Sequence, residues 1–213
     1  MKQPRDERQP TTEPALVVRD ARYDDIKAMT SVLSNAFATD DPIGEYLFPD
    51  PDVRMRREPK MQAVMIRHRF IPQGNALVAV IASRVVGTLL WNGSDPKLRP
   101  VHSVLGGIGL LSAMGTRVSA GMALDAMFAA LDPGRPHNVG VYLACAPDVQ
   151  RRGVGRALLK VLLARCDREE RPLYLMCKDG NVAYYRDIGW ELIDRPRLGH
   201  DGPVVNVMVR PPQ

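Results

Sequence analysis

Cysteine is scarce in this 213-residue chain: Cys145, Cys166 and Cys177 are the whole complement, and no two form a Cys-x-x-Cys pair. An odd number without paired spacing excludes a disulfide framework and a zinc signature, so no metal is expected. It suits a reducing, cytoplasmic compartment. Long apolar runs are also missing. The nearest, Val101 to Leu131, is interrupted by His102, Arg117, Asp125 and several glycines. It offers no clean run of about 20 apolar residues to cross a bilayer, so it reads as buried or half-buried helix and no membrane partner is expected. The first fourteen residues, MKQPRDERQPTTEP, lack the apolar core of a signal peptide. They read as a frayed tail, with residues 15–213 as a single domain. Lysine is the last shortage, at 6 against 23 arginines.

The remaining composition is ordinary, with 45% hydrophobic and 25% charged residues. It excludes a wholly disordered, collagenous or coiled-coil chain. The length fits one generous domain with a sizeable core. A net charge of +5 favours an anionic partner: nucleic acid, a membrane surface or a phosphorylated small molecule. Arginine suits bidentate phosphate contacts. No helix-turn-helix, zinc or RNP signature accompanies the scattered arginines, so no nucleic acid is expected.

Hydrophobic patterning predicts a mixed α/β chain. Ala15–Arg19 reads as a strand, followed by a helix to about Phe37 through Ile26, Met29 and Leu33. The proline-punctuated segment ATDDPIGEYLFPDP reads as a loop. Asp52 to about Ile71 reads as a helix kinked or restarted at Pro59. Its arginines, Arg54, Arg56, Arg57, Arg67 and Arg69, read as a solvated face. Ala76–Ala82 and Val85–Trp91 form a hairpin around Ser83-Arg84. Ser103 to Leu131 gives one or two helices, ended at Asp132-Pro133-Gly134. Then come a strand at Asn138–Cys145, a helix at Gly153–Asp167 and a strand at Leu173–Cys177. A short helix at Val182–Asp187, stopped by Gly189, precedes strands at Trp190–Ile193 and Val204–Val209.

The strongest chemical signal is Gln150-Arg151-Arg152-Gly153-Val154-Gly155-Arg156-Ala157, between a strand and an amphipathic helix. Glycines let the backbone turn tightly and approach a ligand without a Cβ in the way. A helix start presents unpaired N–H groups and a positive dipole end, which together bind anions. Arg151, Arg152 and Arg156 add charge there. The run is not a Walker A loop. It is not a dinucleotide fingerprint either, because Leu158 stands where that motif needs its third small residue.

The run LACAPDVQRRGVGRALL (Leu143–Leu159) resembles the acetyl-CoA-binding signature of the GCN5-related N-acetyltransferases, with Pro147 and Gln150 at matching positions. NVAYYRDIGWEL (Asn181–Leu192) resembles the family's C-terminal block, and DDPIGEYLFPD (Asp40–Asp50) resembles its puromycin N-acetyltransferase-like branch. The resemblance covers nearly all the chain from Leu16. It implies an α/β (α+β) fold: a mixed, mostly antiparallel sheet flanked by helices and splayed between the strands at 138–145 and 172–177.

It further implies acetyl-CoA as co-substrate. Backbone N–H groups from Arg152 through Gly153, Val154 and Gly155 to Arg156 would cradle the pyrophosphate. The backbones of Leu143 and Cys145 would pair with the pantetheine arm, and a backbone N–H near Leu143 would meet the thioester oxygen as charge develops. Cys145 itself reads as a small core residue. Tyr185 matches the family's general acid, which returns a proton to the leaving thiolate, with Tyr184 expected to face elsewhere. Asn181 matches a cofactor contact and also reads as a helix N-cap.

The implied activity is direct acetyl transfer to a primary amine of a small molecule. An amine that arrives protonated must lose a proton to a base, whereas one that arrives largely neutral needs none. Relatives often carry Glu about where Met176 stands, and Met accepts no proton. Asp41 and Glu45 are the leading substitutes and would favour a cationic acceptor; His102, His137 and water are others. Leu47, Phe48, Trp91 and Met114 could make the acceptor pocket apolar, although core packing is the commoner role for any one of them. The alternative is a catalytically degenerate module that binds acyl-CoA without turning it over. The chain reads as a monomer or a homodimer.

Overall fold

The computed structural model describes residues 15–94 and 100–213. The tail expected at residues 1–14 lies outside the described residues. Seven strands form one sheet in the order β1-β2-β3-β4-β5-β7-β6. They are β1 (Val17–Asp20), β2 (Ala76–Ile81), β3 (Arg84–Gly93), β4 (Asn138–Cys145), β5 (Leu173–Cys177), β6 (Glu191–Asp194) and β7 (Asn206–Arg210). All neighbouring pairs are antiparallel except β4 and β5, whose parallel pairing covers only Asn138–Gly140 against Leu173–Leu175. The mixed, mostly antiparallel sheet and its splay are those the sequence led us to expect.

Helices cover both faces. They are α1 (Ile26–Ala36), α2 (Pro42–Leu47), α3 (Pro51–Met65), α4 (Pro100–Met114), α5 (Val118–Ala129), α6 (Val154–Arg168) and α7 (Asp179–Asp187). Successive strand residues point to opposite faces. On β4, Tyr142 meets Phe37 at the end of α1 with ring centroids 5.7 Å apart, while Leu143 and Cys145 lie against Gly155 of α6. So α1 and α6 sandwich the sheet. Leu77, Leu90, Leu158 and Met208 are among the fully buried residues of the main core. A second cluster, around Leu47, Phe48, Met61 and Met114, joins α2, α3, α4 and α5 into a helical annex.

The structure differs from the sequence reading in several places. The loop before α3 contains α2, because Pro42 needs no amide partner in a first helical turn. Asp50 caps α3 by accepting from the Asp52 and Val53 amides, and α3 continues through Pro59 instead of restarting there. It ends in a π-helical turn over Ile66–Phe70. The hairpin turns at Ala82-Ser83, one residue earlier than expected. Both residues adopt positive φ, 47° and 64°, as the tight turn between twisted strands requires. Gly115, at φ 56°, separates α4 from α5. No helix among the described residues is long and apolar enough to cross a membrane.

The arginines of α3 and the turn after it are not a uniform solvated face. Arg57 donates to the Ser112 and Ala113 carbonyls at the open end of α4. Arg69 donates to Asn92 on β3 and pairs with Asp125 on α5. Arg117 likewise donates to the carbonyls of Tyr46 and Leu47. Orphan carbonyls at helix ends need donors; Arg57 and Arg117 supply them, and Arg69 ties β3 to α5 through side chains.

Gly87 on β3 shows how closely α6 packs. A Cβ there would lie 2.8 Å from Val154 Cγ1 and 3.2 Å from the Ala144 carbonyl. Gly87→Ala should therefore destabilise the protein by ~1–3 kcal/mol through overpacking. The shift of the urea midpoint measures it, and an unchanged midpoint would show the α6 interface to be looser than described.

Candidate functional site

The site begins with a hydrogen-bonding mismatch on β4. The Ala146 amide bonds the Val86 carbonyl on β3. Antiparallel strands alternate bonded and non-bonded pairs, so Ala144 and Tyr142 also turn their backbone groups to β3. Those of Leu143 and Cys145 turn the other way. The register slips between Leu90 and Trp91, where Tyr142 and Gly140 are the successive partners and Val141 is skipped. Such a bulge bends the strand. Pairing with β5 stops at Gly140. The Leu143 and Cys145 backbones are left facing a gap, and Gln150 Nε2 reaches the Cys145 carbonyl at 3.4 Å.

The polypeptide then makes a turn of unusual dihedrals. Arg151 holds φ 61° and Gly153 φ 82° before α6 starts at Val154. A left-handed residue just before the helix lets the first α6 amides open toward the gap. The Arg152 amide is already bonded to the Val149 carbonyl at 3.3 Å. The available amide run thus begins at Gly153, one residue later than the sequence suggested. Gly155 brings the α6 backbone close to Leu143 and Cys145, 4.0 and 3.6 Å from where its Cβ would be. Burial pushes the Cys145 thiol pKa up, and the Gly155 amide facing it only partly offsets that. Cys145 is therefore held as a neutral thiol.

A cavity of about 950 Å³ runs from this turn through the gap to the helical annex. Its wall includes Leu143, Cys145, Gln150, Arg151, Gly153, Val154, Gly155, Arg156 and Asn181. Arg152 is not in the wall. Asn181 lies inside α7, whose N-cap is Lys178, so its reading as an N-cap is not what the structure has.

Tyr185 reaches the same cavity and is 7% exposed, with its ring 5.4 Å from that of Trp190. Burial, then the neighbouring Cys177 and Tyr184, raises its phenol pKa, so the proton stays on at neutral pH. Tyr184, expected to face elsewhere, also borders the cavity. Adjacent helix residues diverge by about 100°, and α7 presents both sides to the opening.

The annex end of the cavity is apolar, with Leu47 and Met114 in its wall. Phe48 and Trp91 are instead sealed in the two cores. Asp41 lines the cavity, while Glu45 is exposed and 3.9 Å from Arg54. Met176 is in the wall as well. His102 and His137 are not: His102 pairs with His68 at 3.3 Å, and His137 contacts the Arg135 carbonyl.

The sequence reading missed Glu58. It lines the cavity and is 7% exposed. Gln62 Nε2 donates to its Oε1 at 3.1 Å. Its Oε2 lies 3.4 Å, and Asp41 Oδ2 2.5 Å, from the point a Cβ on Gly44 would occupy. Only a glycine lets the α2 backbone settle against both carboxylates. Burial first, then the Asp41 charge, lifts Glu58 to about 7, against the smaller opposing pull of Arg54 and Gln62. Burial raises Asp41 as well, partly offset by the Gly44 and Ile43 amides. The hint in sequence was a Glu and a Gln four apart on a helix, a spacing that puts both on one side.

Comparison with known proteins agrees with this geometry. The acetyltransferase (GNAT) family model matches residues 40–190. A Corynebacterium glutamicum structure described as histone acetyltransferase HPA2 and related acetyltransferase is 25% identical, with a TM-score of 0.70, covering 95% of this chain and 98% of that one. A Drosophila melanogaster polyamine N-acetyltransferase, which forms N-acetylagmatine, is 16% identical with a TM-score of 0.59, covering 92% and 98%. The PaiA N-acetyltransferase of Thermoplasma acidophilum, solved with coenzyme A, is 11% identical with a TM-score of 0.54, covering 92% and 99%. No curated protein sequence matches significantly.

Glu58 makes stability depend on pH. Its folded pKa of about 7 stands above the ordinary 4.5, so its contribution is complete below 4.5 and lost as pH rises through 7. Glu58→Gln should remove up to ~3 kcal/mol of that loss. Urea unfolding at pH 5 and pH 8 measures it; an identical pH slope in wild type and variant would contradict the assignment.

Proposed function

The chain belongs to the acetyltransferase (GNAT) family, whose enzymes use acetyl-CoA, and we propose that it transfers the acetyl group directly to a primary amine of a small molecule. The observation that carries this reading is the single cavity joining the amides at the start of α6, the unpaired edge of β4 and Tyr185. Coenzyme A is a polyanion with a long amide-bearing arm, and the residues fit it at both ends. The Gly153, Val154, Gly155 and Arg156 amides would hold the pyrophosphate, where the helix dipole favours negative charge. Arg151 and Arg156 would add charge-assisted hydrogen bonds.

The Leu143 and Cys145 backbones would pair with the pantetheine arm as an adjacent strand would. Gln150 must then release the Cys145 carbonyl. A backbone N–H at Leu143 would meet the thioester oxygen, worth most where water is excluded. Tyr185 would protonate the departing thiolate. Asn181, at the edge of α7, would contact the arm. The Asp40–Asp50 segment, which puts Asp41 in the cavity wall, favours the puromycin N-acetyltransferase-like branch. Three free thiols support a reducing, cytoplasmic setting.

Acetyl-CoA at millimolar concentration should raise Tm by mass action, and less so at high salt. Tyr185→Phe should lower kcat by about 100-fold or more while keeping that Tm shift. No shift with the wild type would contradict cofactor binding. An unchanged rate in the variant would remove Tyr185 as the acid. Thiol release with an amine panel separates an enzyme from a module that only binds acyl-CoA.

A further inference from the structure

We infer that Glu58, set against Asp41 in the wall of the annex, takes the proton from the acceptor's ammonium, and that the acceptor is a monocationic primary amine on an apolar body. This inference rests on the acetyltransferase reading above and names its missing base and its substrate class.

Among the described residues four carboxylates line the cavity, and two of them are in ion pairs. Asp40 is held by Lys178, and Asp125 by Arg69. Asp41 and Glu58 remain, side by side over Gly44. Among the described residues the one side-chain donor to Glu58 is Gln62, on Oε1; Oε2 is not among the fully buried orphan atoms, and the residue lines the cavity. An ammonium entering the cavity would give this carboxylate a charge-assisted hydrogen bond. Gln62 Oε1, buried beside it, has no partner. Turning the Gln62 amide over would let it accept from Glu58 once Glu58 is protonated, so one neighbour serves both states. Charged and titratable groups around Glu58 are Asp41 from the turn before α2, Arg54 one helical turn earlier on α3, and Tyr142 from β4.

The cavity wall also carries the apolar residues Phe37, Leu47, Met61, Met65, Leu110 and Met114. A second ammonium on the acceptor would be desolvated among them without a partner. An acceptor carboxylate would meet two like charges. A single cation on an apolar body satisfies both constraints.

The proton and electron balance is complete without another reactant. Glu58 accepts one proton from the ammonium. The freed nitrogen lone pair forms the C–N bond at the thioester carbon, and the C–S pair leaves with sulfur. Tyr185 gives sulfur its proton. The extra proton on nitrogen replaces the one lost by the phenol, and Glu58 releases its own to solvent.

The test is thiol release with acetyl-CoA and 2-phenylethylamine, n-hexylamine, putrescine, spermidine and L-phenylalanine, across pH 5.5–9. The first two should show kcat/KM at least about 10-fold above the others. The wild-type profile should have an acidic limb near pH 7. Glu58→Gln should lose at least about 100-fold in kcat and lose that limb, while acetyl-CoA still raises its Tm. Asp41→Asn should keep the limb but move it to lower pH, because the neighbouring negative charge is gone. A Glu58→Gln enzyme with normal rate and limb, an unmoved limb in Asp41→Asn, or a preference for the diamines or the amino acid would overturn the inference and leave the acetyltransferase reading standing. Failure of wild type to bind acetyl-CoA would overturn both.

Discussion

β4 cannot stay paired with β5 over its whole length. The bulge at Val141 bends β4 after Gly140, and from there no strand among the described residues lies beside its outward backbone groups. Backbone N–H and C=O groups seek partners, and leaving them unpaired away from water is costly. Here Leu143 and Cys145 turn theirs toward a cavity, where the Cys145 carbonyl is met by the Gln150 side chain. Everything proposed for this protein depends on that one interruption. It makes the edge an arm can pair with, and it connects two spaces that a continuous sheet would separate.

Those spaces differ in chemistry because they lie on opposite faces. On the α6 side the wall is backbone amide and arginine, suited to phosphates. On the α1 side it is apolar, with Asp41 and Glu58 at one place. The side-chain alternation of β4 carries the division residue by residue: Tyr142 looks to the acidic pair, and Leu143 and Cys145 look to α6. An anion and a cation are thereby drawn to opposite ends of one cavity and meet where the strands part. The annex helps by burying the carboxylates, and its arginines close the ends of α2 and α4 and leave Asp41 and Glu58 free.

Much of this was legible in the sequence. The glycines after β4 announced the turn into α6, and the mostly antiparallel sheet and its splay followed from the family resemblance. What was hidden had physical reasons. Whether the Arg152 amide is free depends on a local 3₁₀ bond to Val149, which no spacing reveals. Glu45 and Asp41 look alike in sequence, yet Asp41 precedes α2 on extended backbone and reaches the cavity wall, while Glu45 lies inside the helix and is exposed. Glu58 lies next to a proline in an arginine-rich segment that reads as solvated surface. Only the packing of α2 over α3, permitted by Gly44, buries it. Leu47 and Met114 meet the cavity while Phe48 and Trp91 pack in the cores, a division that tertiary packing, not hydrophobicity, decides.

The open edge of β4 can be examined amide by amide. Hydrogen exchange with and without coenzyme A, at concentrations that raise Tm, reports on each backbone N–H. The account predicts slowed exchange at Leu143, Cys145 and Gly153 to Arg156, with β1 and β2 changed little. Protection absent from Leu143 and Cys145 and concentrated elsewhere would contradict it.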